Sequence, residues 1–268
     1  MNSKHKKLNK GALATILYPV LFGVLIVVLW QTQALHAILG ANTFTMPLPG
    51  RILRIIMDNG PSIMENVWAT LIVAVCGLAA GSLLGYLLGI IATVFPKWGG
   101  GGLTIVAAFN AIPIIAIAPI VGNLTKDVSD SADVRSMVAK ILVVMLTCTV
   151  AMSINAYRGF TELKPFSVDL MKSYAAGKTT IFLKLRMPNC VPYIFTALRV
   201  SVPVCVISAL VSEYFAEYII GVGRQIRENI VLAQYATAWA YIVVACAIGI
   251  IMYVILLTVE SIMLKGRR

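Results

Sequence analysis

Six long stretches of this chain carry almost no charge, at about 11–30, 67–93, 103–124, 138–157, 197–217 and 236–263. A helix crosses the roughly 30 Å hydrocarbon core of a bilayer with about 20 apolar residues. Backbone in lipid has no water to pair with, so each such stretch must satisfy its own hydrogen bonds as a helix. The fold expected is therefore an all-α polytopic membrane protein with six transmembrane helices. A chain that is 59% hydrophobic and only 12% charged belongs to that class rather than to soluble domains. Lys4, Lys6, Lys7 and Lys10 precede the first run, Gly11–Trp30, which is too long for a signal-peptide core. No small-x-small cleavage site follows it, so it reads as an uncleaved first helix. Residues 1–65 are expected to hold this helix and an extracytoplasmic amphipathic segment, with Ile52, Leu53, Ile55 and Ile56 beside Arg51, Arg54 and Asp58. Residues 66–263 would form the core.

The basic residues sort by loop. Lys4, Lys6, Lys7, Lys10, Lys97, Arg158, Lys164, Lys172, Lys178, Lys184, Arg186, Lys265, Arg267 and Arg268 fall at the termini and on alternate loops. The opposite loops hold Arg51, Arg54, Lys126, Arg135, Arg224 and Arg227, with most of the acids. By the positive-inside rule both termini and the loop at about 158–196 are cytoplasmic, in a multi-pass protein of the cell membrane. The net charge of +11 is then a signal of topology, and no nucleic-acid partner is implied.

An enzyme reading finds no constellation to stand on. Cys76, Cys148, Cys190, Cys205 and Cys246 form no C-x-x-C pair, and His5 and His36 are the only histidines. That argues against a zinc or haem site and against a histidine-activated nucleophile. Gly177-Lys178-Thr179 imitates the end of a phosphate-binding loop, but Lys172 stands where the pattern needs its first glycine. No catalytic residue, cofactor or metal is expected.

Within the helices, Gly77, Gly81, Gly85 and Gly89 repeat at i+4 and line one helix face. Such a face lets a second backbone approach closely, and a gating hinge is the alternative reading. Pro113 and Pro119 should kink or break the third helix, which membrane proteins tolerate where the backbone is buried or lines a cavity. Asn110 lies beside that break and either bonds a neighbouring helix or meets solute. Glu213 is an ionisable residue at the end of the fifth helix, a functional candidate by default. Pairing with a loop arginine such as Arg224 is its other reading. Asn110, Pro113 and Glu213 are the candidates for a translocation path.

The segment from Asp169 to Pro188 is too basic to cross a membrane, each charge costing roughly 2.5–3.5 kcal/mol at bilayer depth. Yet Ile181, Phe182 and Leu185 are spaced for a folded element, with Pro188 expected to close the run. This segment resembles the cytoplasmic "EAA" loop of permease subunits in binding-protein-dependent ABC importers, which reads Glu-Ala-Ala, three residues, Gly, then Pro thirteen positions on. Here Asp169 stands for Glu, Leu170 and Met171 for the alanines, and Ala175 for the glycine. Gly177 is the candidate to supply the turn instead. Pro192-Tyr193, Leu198-Arg199, Ser212-Glu213-Tyr214-Phe215 and Gly221-Val222-Gly223 look like the nitrate/sulfonate/taurine-type permeases. Leu170–Tyr174 and Lys184–Pro188 look most like the branch tied to thiamine-pyrimidine precursors or riboflavin.

The resemblance implies a type I importer permease that works as a dimer, a homodimer by expectation, within the lipid bilayer. Its partners would be a separate ABC ATPase and an extracytoplasmic solute-binding protein. The loop would form two short helices meeting near Ala175–Gly177, the first seated on the ATPase. Asp169 would hold the loop or meet a basic residue of the ATPase, and Tyr174, Ile181 and Phe182 would be the apolar contacts. The rival class is an ion-coupled secondary transporter or channel. That class often shows inverted repeats and buried midplane charge. No repeat of that size is visible, and charge inside the spans reads as almost absent.

Overall fold

A computed structural model describes residues 10–216, 218 and 220–265, with side chains from Leu17 onward except at position 98. Lys4, Lys6, Lys7, Arg267 and Arg268, on which part of the topology reading rests, lie outside those residues. Every regular element among the described residues is helical. They are α1 (Lys10–Gln31), α2 (Ala34–Leu39), α3 (Pro49–Asp58), α4 (Gly60–Val94), α5 (Pro96–Ala108), α6 (Ile114–Leu124), α7 (Ala132–Thr161), α8 (Ser167–Ser173), α9 (Lys178–Ile181), α10 (Met187–Tyr214), α11 (Val222–Val231) and α12 (Tyr235–Leu264).

Four helical segments, Gly60–Val94, Ala132–Thr161, Lys178–Tyr214 and Tyr235–Leu264, are long and apolar enough to cross a bilayer. A fifth span results if Gly99–Ala111 and Ile114–Leu124, bent by 98°, count as one. The bend falls at Pro113, which cannot donate a helical N–H and pushes Ile112 into extended conformation (ψ 121°). Helix α1 leans on α2 and α3 rather than on the central helices.

At three places the elements start earlier than the sequence suggests. Helix α4 begins at Gly60 rather than at about 67, with Asn59 alone separating it from α3. Pro61 sits in the first turn of α4, where a missing N–H costs nothing. The glycines 99–102 are helical rather than loop, because Pro96 opens α5 and an alanine side chain at 99 would run into the Ala92 carbonyl. The fifth span begins at Lys178, not at about Ala197, and Pro188 does not close it. A widened π-turn over Phe182–Arg186 joins α9 to α10 and accommodates the proline. At 1.5 Å per residue the 37-residue helix is about 56 Å long, well beyond the hydrocarbon core. Its basic first turns can therefore project from the bilayer while the apolar remainder crosses it.

Helices α4, α7 and α10 form the centre. Val73, Ala74, Val144, Cys148, Cys205, Val206 and Ala209 pack where they meet, with α11 and α12 on the flank. Gly77, Gly81, Gly85 and Gly89 all face α7. A methyl at 77 would lie 2.5 Å from Val144 Cβ, and one at 89 would lie 2.8 Å from Ala156 Cβ. The glycine face thus sets the α4–α7 spacing over three helical turns.

Candidate functional site

Three places hold the polar side chains that a mostly apolar bundle must account for. The first is at the α10–α11 junction. Glu213 is fully buried, and its Oε2 accepts from the Gly223 N–H at 2.8 Å and the Thr70 hydroxyl at 3.0 Å. Thr70 Oγ1 accepts in turn from the Val222 N–H at 2.9 Å, and Asn66 Oδ1 from the Gly221 N–H at 2.9 Å. Three consecutive N–H groups opening α11, which its own helix cannot pair, are thus met by side chains of α4 and α10. A carboxylate at a helix N-terminus is also favoured by the helix dipole. Gly221 takes φ +112°, and any side chain there would strike the Glu213 carboxyl group. The geometry admits only glycine.

In this arrangement Glu213, fully buried within the chain, acts as a latch that links α4, α10 and α11. It does not pair with Arg224, which bridges Glu228 at 2.7 Å and donates to the Ala216 carbonyl. Lys140 is also buried here and donates to the Ile220 carbonyl at 3.2 Å. The sequence reading passed over it, although a lone lysine in the run from Met137 to Ala151 was visible. Charge within the spans is not absent. Arg199 and Glu260 pair α10 with α12 through two hydrogen bonds, one of 2.7 Å.

The second place is where α7 meets α9 and α10. The carbonyls that end α7 lack helical partners and receive side chains from the facing helix. Asn189 Nδ2 donates to Gly159 O at 2.7 Å and Glu162 O at 3.1 Å, and Arg186 donates to Phe160 O at 3.3 Å. Phe160 is fully buried between Tyr86 and Phe182, with ring centroids 5.5 and 5.3 Å away. Glu162 accepts from Arg158 at 2.8 Å and from the Tyr193 hydroxyl at 3.0 Å. These two donors, Arg158 first, hold its carboxyl below the usual carboxylate range.

The third place is the segment these contacts support. Helix α8 and the α9–α10 helix are joined by a turn at Tyr174–Gly177. Ala175, not Gly177, supplies the left-handed residue, with φ +56°, whereas Gly177 is extended at φ −71°. That is the position where the resembled motif has glycine. Asp169 is exposed in the first turn of α8, 3.7 Å from Lys172. Tyr174 is 80% exposed, with Leu170 and Leu183 also open. Ile181 is buried, and Phe182 is half-buried with its ring stacked on Phe160. Pro188 lies exposed at the start of α10.

Asn110 and Pro113 are exposed at the α5–α6 bend. Among the described residues, the hydrogen bonds of Glu213 do not reach Asn110 or Pro113.

A family model described as "Binding-protein-dependent transport system inner membrane component" matches residues 81–264. The chain is 26% identical over 253 residues to the formylaminopyrimidine transport permease protein ThiX of Halalkalibacterium halodurans, covering 94% of this chain and 96% of that protein. It is 24% identical over 200 residues to a probable ABC transporter permease protein of Haemophilus influenzae, covering 74% and 77% of the two. Over 85 residues, 32% of this chain and 30% of the relative, it is 26% identical to the bicarbonate transport system permease protein CmpB of Synechocystis sp..

Proposed function

Because this chain belongs to the inner-membrane components of binding-protein-dependent transport systems, we propose that it is the six-span subunit of an ATP-driven importer. The subunit works as a homodimer with both termini and the 158–196 segment in the cytoplasm. It is a multi-pass, non-catalytic permease, and its family implies an ABC ATPase and a solute-binding protein as partners. In this reading ATP is bound and hydrolysed on the separate chain, and α8 with the Tyr174–Gly177 turn receives the push. The observation that carries the coupling role is the exposure of Leu170 on α8 and of Tyr174 at its C-terminal cap. With Phe166 they recur every fourth residue as one exposed apolar stripe, which marks an interaction surface where a lone exposed side chain would not. The turn is braced against α7 by Arg186, Asn189 and Phe182. A push on α8 would therefore move packed helices as a body.

The solute we assign is a small aromatic heterocycle of the pyrimidine class, on the strength of the nearly full-length likeness to ThiX. Riboflavin-like rings come next, then small oxyanions such as sulfonate or nitrate. Purification of the tagged chain from its native membrane in mild detergent tests the coupling. A stoichiometric ATPase should come down with the wild type. Tyr174→Ala and Leu170→Asp should weaken that association by about thirtyfold, the scale of an interface hot spot, while leaving insertion and dimerisation intact. A chain that purifies alone and carries solute in liposomes without ATP would overturn the proposal in favour of ion-coupled transport.

A further inference from the structure

At the end of the bundle where the 125–131 loop joins the spans, α6, α7 and α10 leave a cavity of about 220 Å³. By liquid volume it has room for about seven waters. Its polar wall is made by Asn123, Lys126, Arg135, Ser136 and Lys140, and no acid lines it among the described residues. None of the three cations has a carboxylate within 4.0 Å among those residues. Arg135 spends its Nη1 on the Ser129 and Asp130 carbonyls at 3.0 and 2.9 Å. Asp127, Asp130 and Asp133, its neighbours in sequence, stay out of the cavity. Glu213 acts on Lys140 electrostatically without reaching the cavity wall, so it offsets part of that one charge.

Two groups in the wall are buried and under-used. Lys140 is 4% exposed and makes one hydrogen bond, to Ile220 O, where an ammonium has three donors. Ser136 is 8% exposed, and its hydroxyl, closed off from the cavity space, has no partner among the described residues. Buried polar groups in native folds are paired, and exceptions point to something unaccounted for. Lys126 is exposed and Arg135 half-buried at the rim, so of the three cations only Lys140 holds its charge in a region of low dielectric, where an anion is favoured most.

We propose that this cavity binds a small oxyanion, a carboxylate, sulfonate or phosphate group, held by Lys126, Arg135 and Lys140. Such an anion ties α6 to α7 beside the end of α10. The site lies within one chain's own helices, and neither Asn110 nor Pro113 is in its wall. The group can arrive as a free anion or as the headgroup of an acidic lipid.

The test uses the full chain in phosphatidylcholine nanodiscs, with unfolding temperature and calorimetry as readouts. Methanesulfonate and its neutral isostere dimethyl sulfone are titrated up to roughly 10 mM, ten times a millimolar dissociation constant. Parallel discs contain phosphatidylglycerol and no added anion. A free-anion site gives saturable stabilisation by methanesulfonate but not by dimethyl sulfone, and a headgroup site gives stabilisation by phosphatidylglycerol. In either case Lys126→Gln weakens the effect about tenfold, the worth of a hydrogen bond to a charged group. Ser136→Ala removes a hydroxyl that bonds nothing among the described residues and that the cavity does not reach, so it serves as the control. Gly122→Leu abolishes binding by filling the cavity, since a Cβ at 122 meets nothing within 4 Å. The proposal fails if neither methanesulfonate nor phosphatidylglycerol stabilises, if dimethyl sulfone matches methanesulfonate, or if Lys126→Gln and Gly122→Leu both respond as the wild type does.

Discussion

The sharpest test of the bundle's packing is one methyl group at Gly81. In the middle of α4, Gly81→Ala would place its Cβ 2.5 Å from the Met145 carbonyl oxygen and 2.8 Å from Cys148 Cβ, inside the 3.4 Å where ordinary contact begins. Both obstacles are rigid: the carbonyl is tied into α7, and Cys148 is wholly buried. The helices must separate, and overpacking of this kind costs about 1–3 kcal/mol. Alanine also gains about 0.8–1 kcal/mol of helix propensity over glycine, so the single variant gives a blurred result. Gly249→Ala supplies the reference. It lies inside α12 and its Cβ would meet nothing within 4 Å, so it takes the same propensity gain without the clash. The difference between the two alanine variants isolates the clash. At about 2–4 °C per kcal/mol for a chain of this size, Gly81→Ala should unfold roughly 2–12 °C below Gly249→Ala. Thermal unfolding in detergent followed by circular dichroism measures it. Equal midpoints, or a higher one for Gly81→Ala, would show that the glycine face does not set the α4–α7 distance.

Two further outcomes follow from the polar contacts. Because Ala175 adopts φ +56°, which costs an L-residue about 1–2 kcal/mol, Ala175→Gly should leave the Tyr174–Gly177 turn as stable or slightly more so. Ala175→Val should destabilise it, and hydrogen exchange at the Ala176 and Ile181 amides should rank the variants Gly, Ala, Val in order of protection. Thr70→Val keeps the shape but leaves the Val222 N–H unpaired and removes a donor to Glu213. At about 1–3 kcal/mol per buried unpaired group, exchange at Val222 should rise at least fivefold, and an unchanged rate would sink the latch.

Legibility followed the range of the interaction. Four of the expected spans and the glycine face were readable because each depends on residues a few positions apart. Of the two short helices expected around Ala175 only α8 is short, the second being the start of the 37-residue span. That long start of the fifth span was not readable. Lys178, Lys184 and Arg186 look too polar to belong to a membrane helix, and only length reconciles them with it, by letting the first turns project beyond the bilayer. Glu213 was noticed, but its hydrogen-bond partners were not legible. Its partners Thr70 and Gly223 are supplied by other elements, one of them 143 residues away. The packing of Phe182 was hidden in the same way, since Phe160, the ring that it stacks on, lies at the end of α7.

The placement of the two polar knots bears on how a push could cross the protein. Packed apolar helices resist compression, yet they can slide or rotate, because dispersion between smooth surfaces has no direction. Directional contacts at both ends of one unit remove that freedom. Near the 162–177 segment, Asn189 and Arg186 fix α10 to the last carbonyls of α7. At the opposite end Glu213 and Thr70 fix α10 and α4 to the start of α11, and Lys140 extends the tie to α7. Between them the buried glycines hold α4 against α7 at backbone contact. For the importer proposed above, α4, α7 and α10 would then tilt as one body, carrying α11 with them. The latch should matter to transport through its hold on the helices. Thr70→Val should accordingly uncouple ATP hydrolysis from uptake while leaving the ATPase bound, whereas Tyr174→Ala should lose the ATPase itself. A Thr70→Val protein that transports at the wild-type rate per ATP would mean that the far end moves independently of the near one.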